Sequence, residues 1–281
     1  GKRRPPVPKK DVVLHDSNFV RRVVVCQRAC RRYVLRRNGR AERAKMAAER
    51  RRRRRQVLDE VVSTEEAYLA GLSVLLDEYQ VQLEAAVQRP GATFTRSQLR
   101  DVFPDSIEPI RQLSAALLAD LRQEVAQAGG DDDAIRFGRH FMALAPSLRQ
   151  YSVYVRGMQA SIDTWTALLD NGGWMDEIGR VKARTQRRED LSMFLITPVQ
   201  RIPRYELLLR DLRAVTLPAM ADFDDVRAAY EHVREVNEQV NHDKRIADHR
   251  HRVAQVLASI SKLPTGFAQR SADRQLLMQG E

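Results

Sequence analysis

The sequence predicts an all-α fold, and three observations carry that expectation. Glycine and proline are sparse, 13 and 11 in 281 residues, and from Ala219 to Leu263 the chain has neither, which leaves room for one long helix. A second stretch, Arg40 to Arg89, is interrupted only by Gly71 and is rich in Ala, Leu, Glu and Arg, all good helix formers. Strand-like alternation of apolar and polar residues persists nowhere for more than a few positions, and aromatic residues are only 6%. Hydrophobic residues at 43% and charged residues at 30% give a globular balance, in a chain long enough for one large domain or two small ones.

The first element is a basic arm, residues 1–55. It holds 21 Lys and Arg against four acids, Asp11, Asp16, Glu42 and Glu49, a net +17; the whole chain is +11, so the remainder is net −6. The two cysteines, Cys26 and Cys30, have arginine neighbours rather than metal ligands and cannot build a disulfide framework, which predicts a reducing, cytoplasmic setting. No run of about 18 apolar residues occurs, so no membrane-spanning helix is expected. Both ends read as cuts. The run Arg50 to Arg55 invites an anionic partner, but without interleaved aromatics or a known binding fold a nucleic acid is disfavoured.

The next helix, Val57 to Leu83, carries a wide apolar stripe of Leu58, Val61, Val62, Tyr68, Leu69, Leu72, Leu76, Tyr79 and Leu83. Glu65 lies at its centre. A buried carboxylate there is costly, so it is either satisfied locally, by a salt bridge to a core-edge arginine, or meets something at an opening in the bundle. After a break at Arg89-Pro90-Gly91, a helix starts near Phe103-Pro104-Asp105, with Asp105 and Glu108 spaced as in a capping box and a core stripe of Ile107, Ile110, Leu113, Leu117 and Leu121. Further breaks are expected at Ala128-Gly129-Gly130, Asn171-Gly172-Gly173, Thr197-Pro198 and Leu217-Pro218, delimiting about six helices. Thr197 and Pro198 suit an N-cap and first helical position, and Pro203 predicts a kink rather than a full break.

Enzyme motifs fail. No phosphate-cradling glycine loop occurs, the histidines (His249 and His251 among them) form no helical ligand pair, and no nucleophile elbow or Cys–His pairing is visible, so neither metal nor cofactor is expected, nor any bond-making chemistry.

Three segments resemble the Dbl homology (DH) domain. Val62-Ser-Thr-Glu-Glu-Ala-Tyr-Leu69 is similar to its first conserved region, Val102-Phe-Pro-Asp-Ser-Ile-Glu-Pro-Ile110 to its second, and Phe194-Leu-Ile-Thr-Pro-Val-Gln-Arg-Ile-Pro-Arg-Tyr-Glu-Leu-Leu-Leu209 to its third, in the family's order over residues 56–262. The resemblance implies an elongated six-helix bundle that acts as a guanine-nucleotide exchange factor for a Rho-family GTPase of the Rho, Rac or Cdc class. Such domains remodel the two switch segments, displace magnesium and stabilise the nucleotide-free state. By the same resemblance Glu65 matches the glutamate that engages switch I, Gln200 and Arg204 match the switch II-facing positions, Asn241 bonds the GTPase from the last helix, and Leu208 is a further GTPase-binding residue. Thr197 and Arg204 stand where the family commonly has Lys. The alternative is a catalytically silent DH-like scaffold.

In the arm, Cys26-Gln-Arg-Ala-Cys-Arg-Arg-Tyr-Val-Leu-Arg36 resembles an IQ motif, within a helix at about 19–45, with Gln27, Arg31 and Arg36 at its polar positions and Val23, Cys26, Cys30, Tyr33 and Val34 to one side. That implies calmodulin or a calmodulin-like light chain as a partner. An IQ segment before a DH domain is similar to the arrangement in Ras guanine-nucleotide-releasing-factor proteins. Residues 263–281, ending Arg274-Gln-Leu-Leu-Met-Gln-Gly-Glu281, read as a linker and the start of a truncated pleckstrin homology domain, so membrane recruitment is expected through that module or through the arm's attraction to anionic lipid.

Overall fold

The computed structural model describes residues 17–186 and 189–259, and among them there are helices and no strand. In chain order they are α1 (Ser17–Ser73), a π-helical stretch Val74–Gln80, α2 (Val81–Val87), α3 (Arg96–Val102), α4 (Ile107–Gln127), α5 (Phe137–Leu144), a 3₁₀ turn Ala145–Leu148, α6 (Arg149–Leu168), α7 (Gly172–Thr185), α8 (Leu191–Val215) and α9 (Phe223–Ser259). Six of these, α1, α4, α6, α7, α8 and α9, have 14 residues or more. The segment expected to open a pleckstrin homology domain lies outside the described residues.

The chain divides into two compact units, Gly1–Arg52 and Arg53–Glu281. The described part of the first is the opening of α1. Gln27, Arg31 and Arg36 are exposed there, as are Cys26, Cys30, Tyr33 and Val34.

The second unit is built around a single apolar cluster. Leu58, Val61, Tyr68, Leu72, Leu76, Tyr79 and Leu83 of the predicted stripe are buried, with Val62 and Leu69 half-buried at its edges. They meet Ile107, Ile110 and Leu121 of α4, Tyr151 and Tyr154 of α6, Trp174 of α7, Leu209 and Leu212 of α8, and Val226, Ala229 and Val233 of α9. α9 packs along α5, α6 and α8. Gly138 lets α5 approach the start of α9: a Cβ there would collide with the backbone of Asp225 and Val226. Gly129 and Gly130 supply the positive φ angles, 58° and 93°, that end α4.

Two predicted helix starts are corrected. Asp105 does not cap α4; Ser106 holds that position without a side-chain cap bond, and the first turn is tied instead by Ile107 N donating to Pro104 O at 3.0 Å. The capping box falls one helix earlier, on Thr95 and Gln98. Thr197-Pro198 is not a helix start either. α8 begins at Leu191 and runs through both Pro198 and Pro203. Proline at 198 removes the N–H that Phe194 O would receive, and the Thr197 hydroxyl replaces it at 2.8 Å. Leu195 O receives Tyr154 OH at 2.6 Å, so the carbonyls of the perturbed turn are served from the side and the helix continues. The expected break at Leu217-Pro218 is present, α8 ending at Val215.

One arginine of the run at 50–55 points inward. Arg54 is wholly buried, its Nε donating to Asp132 O (3.0 Å), Nη1 to Thr216 Oγ1 (2.6 Å) and Nη2 to Ile135 O (2.9 Å), with the Asp222 carboxylate 3.9 Å away. It ties the bundle's first turns to the α4–α5 loop, the end of α8 and the approach to α9.

Candidate functional site

Glu65 is at the centre of its stripe, as the helical projection requires, and it is fully buried. The expectation that it meets a partner at an opening is therefore corrected: its carboxylate is consumed inside the bundle. Oε2 receives Arg201 Nη2; Oε1 receives Ser114 Oγ and, at 3.1 Å, Tyr205 OH. Arg201 is itself buried, lies 4.8 Å from the ring centroid of Tyr68 and 4.5 Å from that of Tyr205, and donates through Nη1 to Thr64 O at 3.3 Å. A third tyrosine closes the group, Tyr68 OH donating to Tyr151 OH at 3.3 Å. Burial pushes the Tyr151 phenol up to about 12 and drives Tyr68 and Tyr205 well above their ordinary range, so all three stay neutral donors near pH 7.

Leu208 is likewise turned into the core and cannot face a partner, whereas the next residue back, Leu207, is 42% exposed. Gln200 and Arg204 are exposed as expected. Projected at 100° per residue, Met193, Ile196, Gln200, Arg204, Leu207 and Asp211 fall on one side of α8, opposite Leu191, Leu195, Ile202, Tyr205 and Leu209. That outward strip is mixed, with Met193 (56%) and Leu207 exposed beside polar neighbours.

Its two flanks are set by ion pairing and hydrogen bonding. Toward α1, Arg204 Nη2 donates to Glu60 Oε1 at 2.6 Å in an exposed pair. Toward α9, Glu206 Oε2 receives Asn237 Nδ2 at 2.6 Å, and Asn241, exposed one turn further, donates to Asn237 Oδ1 at 3.3 Å. Asn241 thus lies on the α9 edge of the strip and Glu60 on the α1 edge. Sequence reasoning missed Glu60 and Arg201. The available signal was Arg201, a charge three residues before Arg204 inside an otherwise apolar run, which called for a buried acid to face it. The described residues include no group of three or more His, Cys, Asp or Glu able to hold a metal ion, and no helix long and apolar enough to cross a membrane.

The bundle thus keeps Glu65 and Arg201 paired inside and presents a mixed polar and apolar strip bounded by three helices. The RhoGEF domain family model matches residues 57–241, and the chain belongs to that family. Among curated relatives, Rac guanine nucleotide exchange factor JJ of Dictyostelium discoideum is 27% identical over 207 residues, which cover 74% of this chain and 17% of the relative. Guanine exchange factor for Rac 30 of the same organism is 31% identical over 208 residues, 73% of this chain and 12% of the relative. The chain therefore spans less than a fifth of the length of either. Solved structures share the fold: autoinhibited Vav1, with TM-score 0.66 and 19% identity over 76% of this chain and 38% of that one, and the PDZ-RhoGEF DH/PH domains in complex with GTP-gamma-S-activated RhoA, with TM-score 0.62 and 17% identity over 81% and 65%. The all-α, six-helix DH architecture expected from the sequence is the one observed.

Proposed function

We propose that the bundle is a guanine-nucleotide exchange factor for a Rho-family GTPase, of the Rho, Rac or Cdc class, and that it binds its partner across the strip bounded by Glu60, Gln200, Arg204, Leu207 and Asn241. The observation that carries this reading is the outward placement of Gln200, Arg204 and Asn241 on two packed helices, with Glu60 brought beside Arg204. Glu60 takes the role of the acid that the sequence assigned to Glu65, and Leu207 that of the apolar contact assigned to Leu208. Family membership and the names of the Rac exchange factors among the relatives support the partner class.

The mechanism is differential binding. A carboxylate and a guanidinium at the α1–α8 edge compete for the switch segments of the GTPase, so magnesium and the phosphates lose ligands while the bundle gains contacts. Tighter binding to the nucleotide-free state lowers the barrier to GDP release, and by linkage GTP entry ejects the exchange factor. Release of a fluorescent GDP analogue from Rho-, Rac- and Cdc-class GTPases tests this. Acceleration for one class, lost in Glu60→Ala, supports it; binding without acceleration replaces it with a silent scaffold.

The arm supplies a second, separable reading: its exposed basic helix, with Gln27, Arg31 and Arg36 at the polar positions of the motif and Val23, Cys26, Cys30, Tyr33 and Val34 toward one side, binds calmodulin or a related light chain. Titration with calmodulin and with anionic vesicles, each against the triple Gln27→Ala, Arg31→Ala, Arg36→Ala variant, distinguishes that partner from a membrane surface, where the charge loss weakens binding only in proportion to the arginines removed.

A further inference from the structure

Two ion pairs join α1 to α8. Glu65–Arg201 is inside the bundle and Glu60–Arg204 is at its surface. Residue numbers rise along α1 while they fall along α8, so the helices run antiparallel and the pairs are successive rungs between them. Stability alone is a poor reason for the inner rung. Burying both charges has a desolvation cost, and a well-packed neutral pair is often as stable or more so. What an apolar seam does not supply is an axial stop: leucines and valines accept neighbours one helical turn away, about 5.4 Å, far more readily than a charged fork does. Here the fork is held through its two terminal nitrogens, by Glu65 and the Thr64 carbonyl, and between the Tyr68 and Tyr205 rings, while Ser114 of α4 and Tyr205 hold the Glu65 carboxylate; only the fork's Nε has no partner.

We infer that Glu65 and Arg201 are a positioning pair, which fixes the register of α1 against α8 and so holds Glu60 and Arg204 at one height on the partner-facing strip. The inference rests on the reading of that strip as the GTPase site. It assigns a buried charge pair of the bundle a part in exchange without any contact with the GTPase.

The test uses the full chain carrying Glu65→Gln with Arg201→Met. Gln keeps an acceptor for Ser114 and Tyr205, Met fills the space between the two tyrosine rings, and no buried charge is left alone. Arg201→Lys, which keeps the charge but loses the fork, is the second variant. Spin labels at Asp59 and Arg210, both exposed, report the α1–α8 register in a Cys26→Ser, Cys30→Ser background. With helicity retained, the expected result is a shifted or broadened label distance, by about 2 Å or more, and GDP release at least tenfold slower at saturating exchange factor. A purely structural pair predicts that the neutral variant, once folded, exchanges like the parent. An unchanged distance in a folded variant overturns the inference whatever the exchange rate, and unchanged exchange with a shifted distance overturns its functional half. If the parent accelerates no Rho-family GTPase, the site reading fails instead, and the label distance still decides the register.

Discussion

Replacing Arg54 by Met should destabilise the bundle more than any other single change in the arginine run, and in a pH-dependent way. The guanidinium makes three hydrogen bonds at 2.6–3.0 Å and is fully buried beside Asp222. Removing one member of a buried charged pair costs about 3–5 kcal/mol. Asp222 modulates that cost. Burial raises its carboxyl to about 7, against the opposing pull of the Gly138 amide and of Arg54. Its folded value lies above its unfolded one, so the folded state binds the proton more readily and stability falls as pH rises from about 4 to about 7, by at most ~1.4 kcal/mol per unit. Without Arg54 the carboxyl rises further and the fall continues above pH 7. The expected loss is therefore near the lower end of the range, about 3 kcal/mol, at pH 6 and near the upper end, about 5 kcal/mol, at pH 8.5. At ~2–4 °C per kcal/mol for a domain of this size, the melting temperature drops by roughly 6–20 °C. Urea unfolding followed by helical circular dichroism at both pH values measures it. Asp222→Asn should flatten the pH dependence of the parent while keeping an acceptor for Gly138 N, now at 3.0 Å. A loss below about 1 kcal/mol, or one independent of pH, would refute the reasoning and return Arg54 to the solvated run of its neighbours.

Glu60→Ala and Arg204→Ala should each slow exchange by about 10–100-fold while changing stability by less than about 1 kcal/mol, because the pair is exposed; a collapse in melting temperature would instead make it structural. Gly138→Ala forces a methyl group into the backbone of Asp225 and Val226, and a lowered urea midpoint worth about 3 kcal/mol or more is expected. A neutral result would mean that α5 and α9 are less closely apposed than described. Thr197→Val leaves Phe194 O without its hydroxyl donor beside Pro198 and should cost about 1–2 kcal/mol, read from the same unfolding curves.

How much of this was legible follows from what a single-helix pattern contains. Periodicity gave Leu58, Val61, Tyr68 and Leu72 of α1, because burial on a straight helix depends only on angle, but it missed Val74 and Leu75, which the π-helical stretch also turns inward; glycine pairs gave the end of α4 and the start of α7. Angle also put Glu65 at the centre of the stripe. What it could not give was the element opposite: whether a central carboxylate meets an arginine or an opening depends on which residues of α8 stand across from it, and the pattern of one helix does not name its neighbour. Leu208 failed by one position, its direction being one residue away from that of exposed Leu207. The inward turn of Arg54 was invisible within six consecutive arginines, since a homopolymeric run carries no angular contrast. Its acceptors come from residues some 80 and 160 positions away.

Under the proposed function, the division between inner and outer charges accounts for exchange driven by binding alone. A group that must bind only when a switch segment has moved contributes to rate only if its contacts at home are easily given up and it does not wander. Glu60 and Arg204 satisfy each other at the surface, in an exposed pair worth little, so trading it for contacts with a GTPase costs the protein about 1 kcal/mol or less. Glu65 and Arg201, three to five residues away, are buried and paired with each other, so the same trade there would cost several kcal/mol and they stay put. A cheap outer pair mounted on an expensive inner one combines availability with fixed position. Neither rung alone provides both.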